Sequence, residues 1–486
     1  MQNFAKYLQN FKKTYYLTKE LFLKEKLASD TIGIVPTILP EDLGSTDFKQ
    51  AYCLKYAYMG GSMANEISSA EMVISMGKAG ILCSYGAGGV SPKIIEKAII
   101  DIQKELPNGP YCFNLIHSPY ETAAEMNAVK LYLKYNIDII EASAYINLTP
   151  SLVYYRASGL SRDKNGNIII KNKVIAKVSR TKIAQRFMEP PSKKFVKKLL
   201  EEGLITQEQA DLVMQVPIAD SITIEADSGG HTDNRPLISI YTVIKNLRDQ
   251  LHEKYNLKDK IHIGVAGGIS TPHSALAAFS MGADYVVTGS INQSCIEAGT
   301  SEHVKNLLQS VLVSDVAMAP AADMFEMGVR VQVLKKGSLY AVRAQKLYDL
   351  YIRYDSINDI PKNEKLKVEK QFFGKTMEAV WQETVAFFKE RDPAKLEKVG
   401  DSEKQKMALI FRWYLGLSPL WARKADKEHK SDYQIWCGPS MGAFNDWVKN
   451  TDLALAENRK VVDIAERLMV GVAVLYRENI LKCFFK

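Results

Sequence analysis

Gly264-Val-Ala-Gly267-Gly268-Ile269 and, a little further on, Ala283-Asp-Tyr-Val-Val-Thr288-Gly289-Ser290 decide how the rest of this chain is read. Each is a short apolar, β-branched run that ends in small residues and leads into a helix-like segment. Two consecutive strand-to-helix turns of this kind present bare backbone amides. Glycine lets the main chain approach an anion closely, and the helix that follows adds orphan N–H donors and a partial positive charge. Such a pair resembles the phosphate site after strands seven and eight of a (β/α)8 barrel. Taken alone, it also fits two ordinary βα turns that need glycine for geometry.

The same rhythm recurs upstream. Tyr52–Tyr58 leads into Met59-Gly-Gly-Ser-Met-Ala64, Ala79–Ser84 into Tyr85-Gly-Ala-Gly-Gly-Val90, and Tyr111–Ile116 into His117-Ser-Pro119. Ile137–Glu141 leads into Ala142-Ser-Ala, Val174–Val178 into Ser179-Arg-Thr, and Ser221–Glu225 into Ala226-Asp-Ser-Gly-Gly-His231. With the opening pair this gives eight candidate strands, about 22 to 47 residues apart, which leaves room for a helix between each. The spacing predicts an α/β fold, a (β/α)8 TIM barrel over residues 51–340, preceded by an extension over 1–50. An open doubly wound sheet is the alternative. Its dinucleotide signature is incomplete here, because Gly86-Ala-Gly88-Gly89-Val-Ser91 lacks the last glycine of G-x-G-x-x-G.

The chain has 486 residues, 47% hydrophobic and 24% charged, enough for one full-sized domain and a second. Met1–Lys13 lacks the apolar core of a signal peptide, and no run is long enough to cross a bilayer, so a soluble, cytoplasmic protein without a membrane partner is expected. The six cysteines are scattered, with no C-x-x-C and no cysteine–histidine cluster. They read as buried reduced thiols, with neither a disulfide framework nor a metal site. A formal charge of +8 suits an acidic partner and does not mark a nucleic-acid platform.

Residues 341–486 form a region of different composition. All five tryptophans (Trp381, Trp413, Trp421, Trp436, Trp447) lie there, in helix-patterned segments such as Leu366–Lys389 and Val461–Tyr476. This predicts a separate, mainly helical packing unit whose aromatic surface leaves a homodimer open. Lys193–Lys198, after Pro190-Pro191, is expected to be an amphipathic helix inside an insertion near 185–215, its lysines a solvated face.

A barrel gathers its βα loops on one face, so chemistry is sought where the strands end. Gly60-Gly61-Ser62-Met63-Ala64 is a small-residue turn against which a flat ring such as a flavin fits. Asn114 brings an amide donor and acceptor for the polar edge of such a ring. Lys177 brings a cation that would stabilise a reduced flavin's negative charge. Each of these has a structural alternative as a turn glycine or a capping side chain. Asp227-Ser-Gly229-Gly230-His231-Thr232-Asp233 puts an imidazole, the side chain best suited to proton exchange near neutrality, on a glycine-hinged loop. The bland alternative is that His231 only ties its loop together, with Asp227 or Asp233 as partner.

Together the Gly-Gly-Ser-Met-Ala, Ala-Asp-Ser-Gly-Gly-His-Thr-Asp-Asn-Arg, Gly-Val-Ala-Gly-Gly-Ile and Val-Thr-Gly-Ser motifs resemble the nitronate monooxygenase-like FMN barrels. More narrowly, the chain is similar to the trans-acting enoyl reductases of polyunsaturated fatty-acid and polyketide synthases. Phe325-Glu-Met-Gly-Val-Arg-Val-Gln-Val-Leu-Lys, Arg343-Ala-Gln-Lys-Leu-Tyr-Asp-Leu-Tyr and Tyr433-Gln-Ile-Trp-Cys-Gly-Pro-Ser-Met-Gly-Ala-Phe-Asn-Asp-Trp447 carry that narrower likeness. The resemblance implies FMN and NADPH as cofactors, with an acyl carrier protein bearing an enoyl thioester, and its synthase, as partners. It implies that Gly267, Gly268, Thr288, Gly289 and Ser290 hold the FMN phosphate, and that Gly60–Ala64, Asn114 and Lys177 surround the ring. Asp227, Gly229 and Gly230 complete the cofactor shell. His231, with Lys177, would act in catalysis, either orienting the thioester carbonyl or supplying a proton. Two rivals stand beside it: a nitronate monooxygenase-like oxidase on the same barrel, and a non-redox isomerase or lyase using Lys177 as a Schiff base.

Overall fold

The barrel strands form where the sequence strings together apolar residues that can be buried on both faces, as strands between a filled interior and a ring of helices must be. The computed structural model describes residues 4–117, 122–391 and 393–484; Ser118-Pro119 of the expected loop lie outside them. Eight parallel strands close on themselves: β1 (Tyr58–Gly60), β2 (Leu82–Tyr85), β3 (Cys112–Ile116), β4 (Ile139–Ser143), β5 (Lys173–Val178), β6 (Ser221–Glu225), β7 (His262–Ala266) and β8 (Tyr285–Thr288). The pairing of β8 with β1 makes this a (β/α)8 barrel and rules out the open sheet.

The first strand departs from expectation. Thr46–Tyr52 is a helix, capped by Ser45 Oγ on the Phe48 amide, and the strand begins only at Tyr58. That helix plugs the N-terminal end of the barrel. Phe48 stacks on Tyr285 with ring centroids 4.0 Å apart, the Tyr52 hydroxyl is 2.8 Å from Ser221 Oγ, and Tyr285 OH is 2.7 Å from Thr223 Oγ1. Burial of two aromatic rings there overrides the strand preference of the residues between them.

Between β5 and β6 lie three helices, Thr181–Met188, Lys193–Glu201 and Gln207–Val213. The second buries Val196 and Leu199 and leaves its lysines exposed, so the basic run is a solvated face. After β8 the chain forms a hairpin, Val316–Pro320 with Arg330–Leu334, whose edge is extended by the short strand Gly230–His231. Helices Tyr340–Arg353, Met377–Arg391, Glu403–Lys424, Ser440–Val448 and Val461–Lys482 dominate the rest. Leu366–Lys389 is not one continuous helix. Lys362–Val368 passes into a π-turn and stops at Gly374, whose φ of +67° is left-handed.

The last helix returns to the barrel. A Cβ at Gly471 would overlap the Pro272 ring, so only glycine permits this contact. On the same helix sits a small sheet of Tyr15–Thr18, Leu23–Lys24 and Thr31–Val35, and Arg477 donates to the carbonyls of Asn10 (2.7 Å) and Lys13 (2.9 Å). The cysteines are unpaired; Cys83, Cys112, Cys295 and Cys437 are buried, whereas Cys53 and Cys483 are exposed, against the expectation of six buried thiols. Among the described residues no helix is long and apolar enough to cross a membrane.

The base of β6 is fixed by Arg156, which is fully buried and grips Asp220 through two bonds of 2.8 and 3.0 Å while also donating to Asn172 O and Pro217 O. Asp220 in turn accepts from the Val174 amide of β5 at 2.8 Å. Arg156→Met leaves that carboxylate without its partner, and urea denaturation should show a loss of about 3 kcal/mol; unchanged stability would mean the pair contributes nothing.

Candidate active site at the barrel mouth

Three neighbouring strands send charge to one place. Lys177 of β5 stands 4.0 Å from Glu141 Oε1 of β4 and 3.7 Å from Glu225 Oε1 of β6. Burial by itself lowers the pKa of Lys177, but the two carboxylates outweigh it and hold the ammonium above its ordinary value. Lys177 is therefore a fixed cation. A Schiff-base lysine needs the opposite shift, which these carboxylate neighbours do not favour. Glu141 is fully buried; its Oε2 accepts from the Ser62 amide at 2.9 Å, and its Oε1 has no hydrogen bond.

His231 sits beside this group on the edge strand of the hairpin sheet, Gly230 opposite Gln332 and His231 opposite Val331. Its partner is neither Asp227 nor Asp233. Nε2 meets Asp323 Oδ1 at 3.0 Å, from the connection between the hairpin strands. Burial would lower the imidazole pKa, yet the Asp323 carboxylate raises it above the usual value; burial likewise acts to raise the Asp323 pKa, and His231 brings it below. Asp233 is engaged elsewhere, accepting from Ser179 Oγ (2.6 Å) and from Arg180 Nε (2.8 Å), which joins the loops after β5 and β6. One buried oxygen of Asp227 has no partner among the described residues.

The glycine turns differ in what they need. Gly267 (φ +84°) and Gly268 (φ +75°) are both left-handed. A Cβ at Gly267 would strike the Ala226 carbonyl carbon at 2.8 Å, whereas at Gly268 and Gly289 a Cβ would meet nothing within 4 Å. Gly267 is thus needed for packing, and Gly268 and Gly289 border open space. Ser290 opens the short helix Ser290–Gln293, whose first amides have no intrahelical acceptor. Thr288 faces inward instead: its hydroxyl lies 2.5 Å from Tyr58 OH and donates to Asn292 Oδ1 at 3.2 Å.

On the opposite side, Gly61 backs onto Val287 and approaches Glu141, while Gly60 packs against Met76 of the helix Ala70–Lys78 and Cys83 of the neighbouring strand β2. The Met63 amide donates to Ser68 Oγ at 3.0 Å. Ala64 borders Gly88, and a Cβ at Gly86 would collide with Met63 O. The glycines of the Gly86-Ala-Gly88-Gly89 turn therefore let it nest under the loop after β1, the role that its partial dinucleotide signature hides. Asn114 uses its NH2 on Glu141 O and Ser143 Oγ, both at 3.0 Å, leaving only its carbonyl oxygen for a ligand.

The C-terminal region also reaches the mouth. Cys437 N lies 3.0 Å from the position a Gly229 Cβ would take, and the Gly438 amide donates to Ser290 Oγ at 3.1 Å. Burial pushes the Cys437 thiol up to about 12, so it stays protonated. Asp323, Glu225, Glu141 and Gly438 were not among the residues singled out from the sequence. Charged residues at the ends of apolar strands mark Glu141 and Glu225, whereas nothing local marks Asp323 or Gly438.

The chain is 44% identical over 472 residues to a polyunsaturated fatty acid synthase component of Thraustochytrium sp., covering 96% of this chain and 32% of that protein. It is 45% identical over 443 residues to the polyketide biosynthesis protein PksE of Bacillus subtilis, covering 91% of this chain and 57% of that protein. It thus spans only part of these relatives. Among solved structures it is similar to the enoyl reductase domain of MlnA, from the macrolactin biosynthesis cluster of Bacillus amyloliquefaciens, with 42% identity and a TM-score of 0.85 over 92% of this chain and 99% of that domain. Residues 354–433 match the family model described as (acyl-carrier-protein) S-malonyltransferase, inserted helical domain.

The His231–Asp323 pair has a pH signature. A raised imidazole pKa stabilises the fold fully below the unfolded value of about 6.5 and loses that contribution as pH rises through the folded value; a lowered carboxylate pKa contributes only above about 3.9. The stability difference between the native chain and Asp323→Asn should therefore be greatest between these limits and shrink toward alkaline pH. A difference independent of pH in urea melts would refute a charged pair.

Proposed function

The chain belongs to the family of the MlnA enoyl reductase domain, and from this we propose that it is a trans-acting, FMN-dependent enoyl reductase. It would use NADPH to reduce the α,β double bond of an enoyl thioester carried by an acyl carrier protein of a polyketide or polyunsaturated fatty-acid synthase. The observation that carries the reading is the joint placement, at one barrel mouth, of the open glycine cradle and the His231–Asp323 pair.

The residues at the mouth suit FMN. Gly268, Gly289 and the first amides of the Ser290 helix offer donors and space to a phosphate. Asp227 Oδ1 and Gln332 Oε1 are buried acceptors without a donor among the described residues, and Glu141 Oε1 has only its ion pair with Lys177; a ligand with hydroxyl and ring N–H groups would supply donors. When bound, FMN supplies the redox chemistry, taking a hydride from the reduced nicotinamide and delivering one to the thioester β-carbon. Lys177 would offer a positive charge to the ring, and its carboxylate neighbours keep it in place. Because His231 commits Nε2 to Asp323, Nδ1 is the atom left to donate a proton to the α-carbon as the enolate collapses.

Two measurements test the reading. Under anaerobic conditions, protein reduced with NADPH and mixed with a crotonyl thioester should regain the oxidised flavin spectrum; reoxidation only in air would favour an oxidase of the nitronate type. His231→Ala should retain flavin and lower enoyl turnover by about 100-fold, and Gly268→Leu should purify without flavin. Full turnover in the first, or full flavin occupancy in the second, would remove that residue from its assigned role.

A further inference from the structure

The residues that close on Ser290 come from the far end of the chain. Leu334 N donates to Ile435 O at 2.8 Å, and Cys437 N to Gln332 O at 3.3 Å, so Ile435–Cys437 runs beside the hairpin strand that also carries the His231 edge. The next residue, Gly438, is buried. A Cβ there would lie 2.8 Å from Gly229 N and 3.1 Å from Ser228 C, which forces glycine and brings this backbone against the loop before His231. Its amide donates to Ser290 Oγ at 3.1 Å. Pro439 then starts the helix Ser440–Val448, which packs against Ser290–Gln293 and has no side-chain cap. Two helix starts therefore converge on one point; neither has a side-chain cap, and since the Met441 and Gly442 amides already bond Gly438 O and Pro439 O, the Ser440 amide is the donor left in that turn.

A second observation marks the same point. Gln332 is 5% exposed, and its Oε1 has no partner although it lies 3.3 Å from where a Gly438 Cβ would be. A native fold rarely leaves such an acceptor unpaired, so a donor from a ligand or solvent is expected at this point.

We propose that Cys437–Ser440 forms a third wall of the phosphate cradle, so that the C-terminal region binds the phosphorylated end of the flavin together with the loops after β7 and β8. The inference rests on the FMN reading and adds to it that the helical region is part of the cofactor site. The Ser440 amide and the Ser290 hydroxyl, which the Gly438 amide orients by donating to it, act on the phosphate, and Gln332 Oε1 accepts from a hydroxyl of the adjoining polyol chain.

Flavin-stripped full-length protein should be titrated with FMN and with riboflavin, which lacks the phosphate, by flavin fluorescence. Gly438→Ala, whose Cβ collides with Gly229 N and displaces the Cys437–Ser440 turn, should weaken FMN binding at least tenfold and leave riboflavin binding within about twofold, since the contacts displaced are to phosphate. Equal weakening of both ligands, or of neither, would overturn the third wall. In the native protein, FMN should slow amide hydrogen exchange across residues 437–442 more than riboflavin does, a result that needs no variant; equal exchange with both would also overturn it. If the native protein binds neither flavin, the FMN reading itself fails, and the inference with it.

Discussion

A lysine between two carboxylates inside a barrel mouth is the constraint on which the site depends. Separately, Glu141, Lys177 and Glu225 would each lose heavily by leaving water. Side by side on β4, β5 and β6 they satisfy one another, and the parallel register of those strands sets their spacing. The arrangement continues outward as an alternation of sign, from Glu141 through Lys177 and Glu225 to His231 and Asp323. With His231 protonated, each charge in this row has an opposite charge beside it. The row also explains why the loop after β1 is so tightly tied: the Ser62 amide serves the buried Glu141 carboxylate directly.

The parts added to the barrel act by holding this row in place. The hairpin takes Gly230–His231 as its edge strand and presents Asp323 from its own connection, so the imidazole is oriented by two segments about ninety residues apart in sequence, both locked by backbone pairing rather than by side chains alone. On the other flank, Asn65 and Glu66 adopt left-handed backbone at φ +56° and +57°. That conformation is costly outside glycine. It is maintained by amide hydrogen bonds to Gly88 O and Gly86 O and by the Glu66 carboxylate, which binds Tyr85 OH at 3.0 Å and Arg423 at 2.5 Å. Arg423 closes the long helix Glu403–Lys424, so the C-terminal region grips the mouth from two sides.

The eight barrel strands are legible in the sequence because burial on both faces demands β-branched and aromatic runs, and the left-handed Gly267-Gly268 turn because no other residue adopts it cheaply. His231 and Lys177 are legible as charged or titratable groups following such runs. The plug Thr46–Tyr52 is not: its Tyr52 and nearby apolar residues look like a strand until the aromatic floor they fill is known. Asp323 is invisible for a related reason, since an aspartate in a loop has no periodicity, and only the hairpin brings it to the imidazole. Thr288 and Gly60 show the limit of reading a motif as a unit, since Thr288 turns to Tyr58 and Gly60 backs onto Met76 and Cys83.

The aromatic floor has a kinetic consequence. Phe48, Tyr52 and Tyr285 fill the end of the barrel opposite the loops, so that end offers a ligand no entry. Under the proposed reading, a nicotinamide donor and an acyl acceptor would both reach the flavin from the loop end and would exclude one another, so that their visits alternate and reciprocal plots run parallel.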